Sequence, residues 1–168
     1  MRILGIDPGL ASLGWGIIDV ACQARDKLSP VDYGVIATTP RQALPERLFD
    51  IYSGITRILD EYKPDSIAFE ELFFNRNVTT AFTVGAARGA ALVAAAGRLS
   101  GRLYEYTPLQ IKQAVTGNGR CDKHQVQFMV RALLRLREIP KPDDAADGLA
   151  AAITHAHCLG QEEQFRIK

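Results

Sequence analysis

Four acidic residues stand where the surrounding pattern calls for apolar or small side chains. Asp7 ends the apolar run Arg2–Ile6, and Glu70 ends the run Ser66–Phe69. Asp144 and Asp147 lie three apart at the start of an Ala-rich segment, a spacing that puts both on one face of a helix. Each has an ordinary structural explanation when taken singly. Asp7 suits the turn Asp7-Pro8-Gly9, Glu70 suits an exposed strand end, and Asp144 and Asp147 suit a helix N-terminus, where negative charge offsets the macrodipole. Taken together they mean more, because strand ends and a helix start can converge at one edge of a mixed sheet. Two like charges about 4 Å apart repel by about 4 kcal/mol at an effective dielectric of 20, so such a cluster stays ionised only when cations neutralise it. An all-oxygen donor set without Cys or paired His selects Mg²⁺ or Mn²⁺. Two such ions about 4 Å apart activate a water and stabilise a leaving oxygen, which is the chemistry of phosphodiester hydrolysis.

The elements that must position these acids are legible from periodicity. Arg2–Ile6, Trp15–Val20 and Val31–Thr38 read as three strands with short links, an antiparallel meander. Leu44, Leu48, Ile51, Tyr52, Ile55, Ile58, Leu59 and Tyr62 recur at helical spacing, and the helix stops before Lys63-Pro64. Ser66–Phe69 reads as a buried strand, Thr80–Arg98 as an Ala-rich helix and Leu103–Tyr106 as a short strand. Thr107-Pro108-Leu109-Gln110 marks a helix start with N-cap Thr, Pro at N1 and Gln at N3. Gly117-Asn118-Gly119 ends that helix, and Asp122 to Gln125 is a second capping box. Pro140-Lys141-Pro142 then leads into a last helix, Asp143–His157. Strands separated by single helices add in parallel to the meander. The expected architecture is α/β: a five-stranded mixed sheet, antiparallel meander plus parallel strands, with helices on both faces.

Composition bounds the rest. The 168 residues suit a single domain with its own core, expected over residues 1–158 with a C-terminal tail at 159–168. The formal net charge of +1 hides an asymmetry. The stretch from Arg76 to Lys141 holds eleven basic residues against Glu105, Asp122 and Glu138, a net of +8, and the remainder is −7. That division fits a basic binding surface beside an acidic site. No uncharged apolar run reaches the ~18–20 residues needed to cross a bilayer. Cys22, Cys121 and Cys158 are widely spaced with no C-x-x-C pair, which predicts free thiols in a reducing cytoplasm and no structural zinc.

Several motifs in order carry a resemblance. Ile3-Leu4-Gly5-Ile6-Asp7-Pro8-Gly9, Phe69-Glu70-Glu71-Leu72-Phe73, Gln110 to Gly117 continuing through Lys123 to Gln127, and Asp144-Ala145-Ala146-Asp147-Gly148-Leu149-Ala150 resemble the RuvC family of Holliday junction resolvases. The similarity runs from Met1 to about Cys158. It implies a ribonuclease H-like fold and a homodimeric, divalent-metal-dependent endonuclease that cuts opposed strands of a four-way DNA junction in homologous recombination and repair. It also implies a branch-migration complex as partner. The family's metal-binding acids fall on Asp7, Glu70, Asp144 and Asp147. Glu71 is expected to point away from Glu70 along the strand, and Asp143 to serve as a cap or neighbour of the site. Phe73 is expected to stack on an unpaired base near the crossover, with Phe74 beside it. Stacking of this kind is worth ~1–3 kcal/mol per base. Lys112 and Lys123 match family positions implicated in junction binding and catalysis, and Arg76 and Arg120 flank loops where phosphate contacts are expected.

Two other readings compete. An ATP-using enzyme of the actin and sugar-kinase type also pairs an Asp with glycines after its first strand, but it needs two domains, for which 168 residues are too few. A noncatalytic junction-binding protein on the same fold would be expected to have lost some of the four acids.

Overall fold

The alternation of apolar and small residues along the first strand decides which helices pack on which side of the sheet. In the computed structural model, which describes residues 1–21, 24–72 and 78–168, β1 (Arg2–Asp7) lies at the centre of a five-stranded sheet. It is flanked by β2 (Ser12–Ala21) and β4 (Ser66–Glu70), with β3 (Ala24–Ala37) and β5 (Leu103–Tyr106) at the edges. β1–β2 and β2–β3 pair antiparallel, whereas β1–β4 and β4–β5 pair parallel. This is the mixed meander-plus-parallel sheet expected from the element order.

Two apolar layers cover it. Leu4 and Ile6 of β1 and Ile67 and Phe69 of β4 pack with α1 (Leu44–Tyr62) and α2 (Val78–Leu99). Ile3 and Ala68 face the opposite layer, built from α3 (Pro108–Thr116), α4 (Lys123–Leu133) and α5 (Asp143–His157). Because side chains alternate along a strand, Asp7 shares the α5 face with Ile3 and Gly5, and Glu70 shares it with Ala68. The acids at the ends of two parallel neighbours therefore emerge on one side of the sheet.

The last helix reaches that face through glycine and alanine. Ala145, Ala146 and Gly148 through Ala152 are all buried. A Cβ on Gly5 would lie 2.0 Å from the Gly148 carbonyl oxygen, and one on Gly14 would lie 1.9 Å from the Asp144 carbonyl oxygen. A Cβ on Gly148 would in turn meet the Trp15 backbone at 2.6 Å. Helix backbone thus rests directly on strand backbone, closer than any side chain permits.

Two details depart from the periodicity. The third strand begins at Ala24 rather than Val31 and runs through Pro30. Pro30 pairs with Ile18 and Asp32 with Ile17, so the ladder shifts there. An edge strand tolerates the missing N–H of a proline that a central strand would not. The residues after Cys158 also pack onto the domain. A short 3₁₀ turn, Glu162–Phe165, sets the Phe165 ring 4.7 Å from that of Tyr106. The Ile167 amide then donates to the Leu103 carbonyl at 2.9 Å, extending the β5 edge.

Candidate active site

Register brings the acids together. Asp7 is the partner of Gly14 across the β1–β2 ladder, and Gly14 is the residue on which the Asp144 carbonyl rests. The missing side chain at Gly14 is what allows the first turn of α5 to sit beside the end of β1. Asp7, Asp144 and Asp147 each place a carboxylate oxygen within 4.8 Å of the others. Glu70 stands just outside this triad but lines the same cleft of about 270 Å³, with Asp7, Asp147, Lys112, Lys123, Pro108 and Ile111.

The electrostatics are those of crowded, partly buried carboxylates. Burial pushes Asp7 up to about 8, and the charges of Glu70, Asp147 and Asp144 push the same way. Burial likewise pushes Glu70 up to about 7, with Asp147 adding to it and Lys123 and Lys112 opposing. Asp147 is raised by burial, against the hydrogen bond and charge of Lys123, whose Nζ lies 2.7 Å from Asp147 Oδ2. Oxygen donors this close, with burial making Asp7, Glu70 and Asp147 reluctant to ionise, fit a hard divalent cation, whose charge supplies what the protein withholds.

A stability prediction follows. A carboxyl whose folded pKa is raised stabilises the fold below its unfolded value, near 4, and loses that contribution as pH rises through the folded value. In EDTA, thermal stability carried by Asp7 and Glu70 is therefore expected to fall between about pH 5 and pH 8. Saturating Mg²⁺ is expected to restore several degrees at pH 8 and almost nothing at pH 5. Thermal melts of wild type against Asp7→Asn, in which most of this dependence is removed, provide the check. A wild-type profile matching that of Asp7→Asn, with and without Mg²⁺, would contradict the proposed coupling.

The neighbouring acids part ways. Glu71 turns to the other side of the strand and lines a separate cleft with Arg88, Glu105 and Arg166. Asp143, the first residue of α5, is exposed and pairs with Lys141 at 2.6 Å, which holds its carboxyl below the usual range. Neither belongs to the triad, although the charge of Asp143 still acts on Asp147.

The cations expected at the DNA surface are distributed unevenly. Lys112 and Lys123 line the acidic cleft. Arg120 is exposed on the Gly117–Asp122 loop, its backbone N–H donating to Asn118 Oδ1 at 3.0 Å, and it does not line the cleft. Arg88 and Arg98 are engaged by Glu105 and Asp60, so part of the +8 stretch neutralises the fold's own acids. Phe73, Phe74 and Arg76 lie outside the described residues. What periodicity did not reveal is the supporting role of Gly5, Gly14 and Gly148. A signal was present in the small residues of β1 and β2 opposite an Ala-rich helix, but their pairing is tertiary.

Comparison with known proteins places these features in context. The family model described as crossover junction endodeoxyribonuclease RuvC matches residues 3–155. A RuvC from Alkaliphilus oremlandii is 54% identical over 168 residues, covering 100% of both chains. One from Rubrobacter xylanophilus is 56% identical over 154 residues, covering 92% of this chain and 84% of its own. Among solved structures, Thermus thermophilus RuvC in complex with Holliday junction substrate superposes with a TM-score of 0.90 at 37% identity, covering 99% of each chain. The yeast mitochondrial Holliday junction resolvase shares the fold, with a TM-score of 0.65 at 13% identity over 96% of this chain and 82% of its own.

Proposed function

The chain belongs to the RuvC family of crossover junction endodeoxyribonucleases, and from that premise we propose that Asp7, Glu70, Asp144 and Asp147 form the centre that resolves four-way DNA junctions. The protein is a Holliday junction resolvase, a metal-dependent endodeoxyribonuclease. The observation that carries the site assignment is the convergence of Asp7, Asp144 and Asp147 within ligand range, beside Glu70 in one cleft.

Each part of the chain has a task in this reading. The four carboxylates, presented by β1, β4 and α5, would hold divalent ions, Mg²⁺ or Mn²⁺, two per centre in this reading. Ions bound there would supply the Lewis acidity that readies a water for attack and offsets charge on the departing 3′-oxygen. Lys112 offers its ammonium to the scissile strand's phosphate from the α3 side of the cleft, and Arg120 meets backbone phosphates farther out on its loop. Phe73 and Phe74 stack on bases opened at the crossover, with Arg76 on the adjoining phosphate. Cleavage leaves a 5′-phosphate and a 3′-hydroxyl.

A symmetric junction needs two such centres, and a two-fold homodimer presents them. The α2 face suits the interface. Phe82 and Val93 are 76% and 65% exposed there, and a Cβ on Gly85 or Gly89 would meet nothing within 4 Å, so a second helix can approach closely. Residues 1–158 act as one nuclease domain, with 159–168 a tail docked on the β5 edge. The protein works in the cytoplasm, loaded onto junctions by a branch-migration complex in recombination and repair. Among the described residues no helix is long and apolar enough to cross a membrane.

The test uses a synthetic four-way junction with an immobile crossover and a linear duplex of the same sequence. In Mg²⁺, paired nicks at symmetric positions in opposed strands are expected on the junction and none on the duplex, with no cleavage in EDTA. Equal cutting of both substrates would reduce the protein to a general nuclease.

A further inference from the structure

Lys123 occupies an unfavourable place for a lysine. It is the first residue of α4, where the helix dipole presents partial positive charge and an acidic residue would be preferred. The local fold nonetheless fixes it there. Asp122 Oδ1 accepts from the Gln125 amide at 2.8 Å, and Gln125 Oε1 accepts from the Asp122 amide at 3.0 Å, so the capping box sets where the next side chain leaves the helix. That side chain reaches across to α5 and places its ammonium 2.7 Å from Asp147 Oδ2.

The oxygen it engages belongs to the same Asp147 that closes the triad with Asp7 and Asp144. An ammonium proton and a divalent cation use the same carboxylate lone pairs, and the two positive charges repel at that distance. Lys123 also acts electrostatically on Asp7 and Glu70, whereas Lys112, in the same cleft, acts on Glu70 alone among these acids and forms no ion pair of its own with Asp147. The tether allows movement. The Lys123 side chain is 53% exposed while that of Asp147 is 18% exposed, so the ammonium can swing into solvent with its carboxylate left in place.

We propose that Lys123 is an exchangeable counter-ion of the metal centre: its ammonium and a divalent cation compete for Asp147, and metal binding releases the lysine toward the phosphate in the same cleft. Lys123 is then a positioning residue that couples metal loading to DNA engagement. The coupling is reciprocal, since whatever factor the lysine costs the metal, the metal costs the ion pair. The inference rests on the metal-site reading above and adds to it a direction: removing Lys123 strengthens metal binding even as it weakens function.

The experiment measures Mn²⁺ binding by calorimetry to the full chain without DNA, in wild type, Lys123→Met and Lys112→Met. Lys123→Met is expected to bind Mn²⁺ about tenfold more tightly than wild type, and Lys112→Met to change far less. A second readout uses wild type alone. Acylation of Lys123 by a water-soluble amine reagent, followed by mass spectrometry, is expected to accelerate on saturation with Mg²⁺, while that of Lys112 stays unchanged. Lys123→Met binding no more tightly than Lys112→Met, or Lys123 labelling indifferent to Mg²⁺, would overturn the exchange while leaving the metal site standing. No Mn²⁺ binding in any of the three proteins would overturn the metal site and the exchange together.

Discussion

Asp7→Asn is expected to lower the single-turnover rate of junction cleavage by about a thousandfold or more, equivalent to about 4 kcal/mol of lost transition-state stabilisation. The size follows from where Asp7 sits. It is the carboxylate against which Glu70, Asp144 and Asp147 all act, and it shares ligand range with both α5 aspartates. The amide keeps the shape of the side chain but removes its charge, so the proposed centre would lose a ligand and part of its attraction for cations. The protein itself should gain stability in EDTA at pH 8, because the buried group that resists ionisation is gone. A slower, more stable enzyme is the signature of a residue kept for chemistry at the expense of the fold.

Gly14→Ala is expected to be among the most damaging single-methyl changes, costing about 3 kcal/mol or more. The added Cβ would lie 1.9 Å from the Asp144 carbonyl oxygen and 2.5 Å from its carbonyl carbon. These are backbone atoms with no rotamer to change, so either the helix lifts from β2 or the strand bends. Lifting moves Asp144 and Asp147 away from Asp7 and disrupts the buried layer of Ala145, Ala146 and Leu149. Cleavage should therefore fall with stability, even in whatever fraction folds. Gly97→Ala on α2 is the matched control, because its Cβ would meet nothing within 4 Å, and a helical glycine replaced by alanine gains up to about 1 kcal/mol. Chemical denaturation of the two variants beside wild type checks the contrast. A Gly14→Ala protein as stable as wild type would show that α5 is not seated by backbone contact.

Much of this arrangement was legible in the sequence, and the parts that were not share a cause. The four acids stood out because each ended an apolar run or opened an apolar helix, and the parallel addition of strands to the meander followed from single helices between strands. Two capping boxes, at Thr107 and Asp122, fixed helix starts that the structure reproduces. Local chemistry was sufficient for all of these. The Gly14–Asp144 contact was invisible because it joins residues far apart in the chain through the absence of a side chain, which leaves no pattern of its own. Pro30 misled for the opposite reason, since a proline breaks a central strand and β3 is at an edge. The docking of Phe165 on Tyr106 was hidden because a single aromatic in a short polar segment has no periodicity. Lys123 was readable as a cation but not as the partner of Asp147, a contact that depends on how α4 and α5 pack.

The most direct measurement of the central assignment puts wild type and Asp7→Asn side by side on one immobile four-way junction in Mg²⁺, scoring complex formation by gel shift and strand cleavage from the same samples. Both proteins should still shift the junction, because Asp7 makes no DNA contact in this reading. Only wild type should convert it to paired nicks with 5′-phosphate ends. Equal cleavage by Asp7→Asn would contradict the assignment of the metal centre to Asp7, Glu70, Asp144 and Asp147.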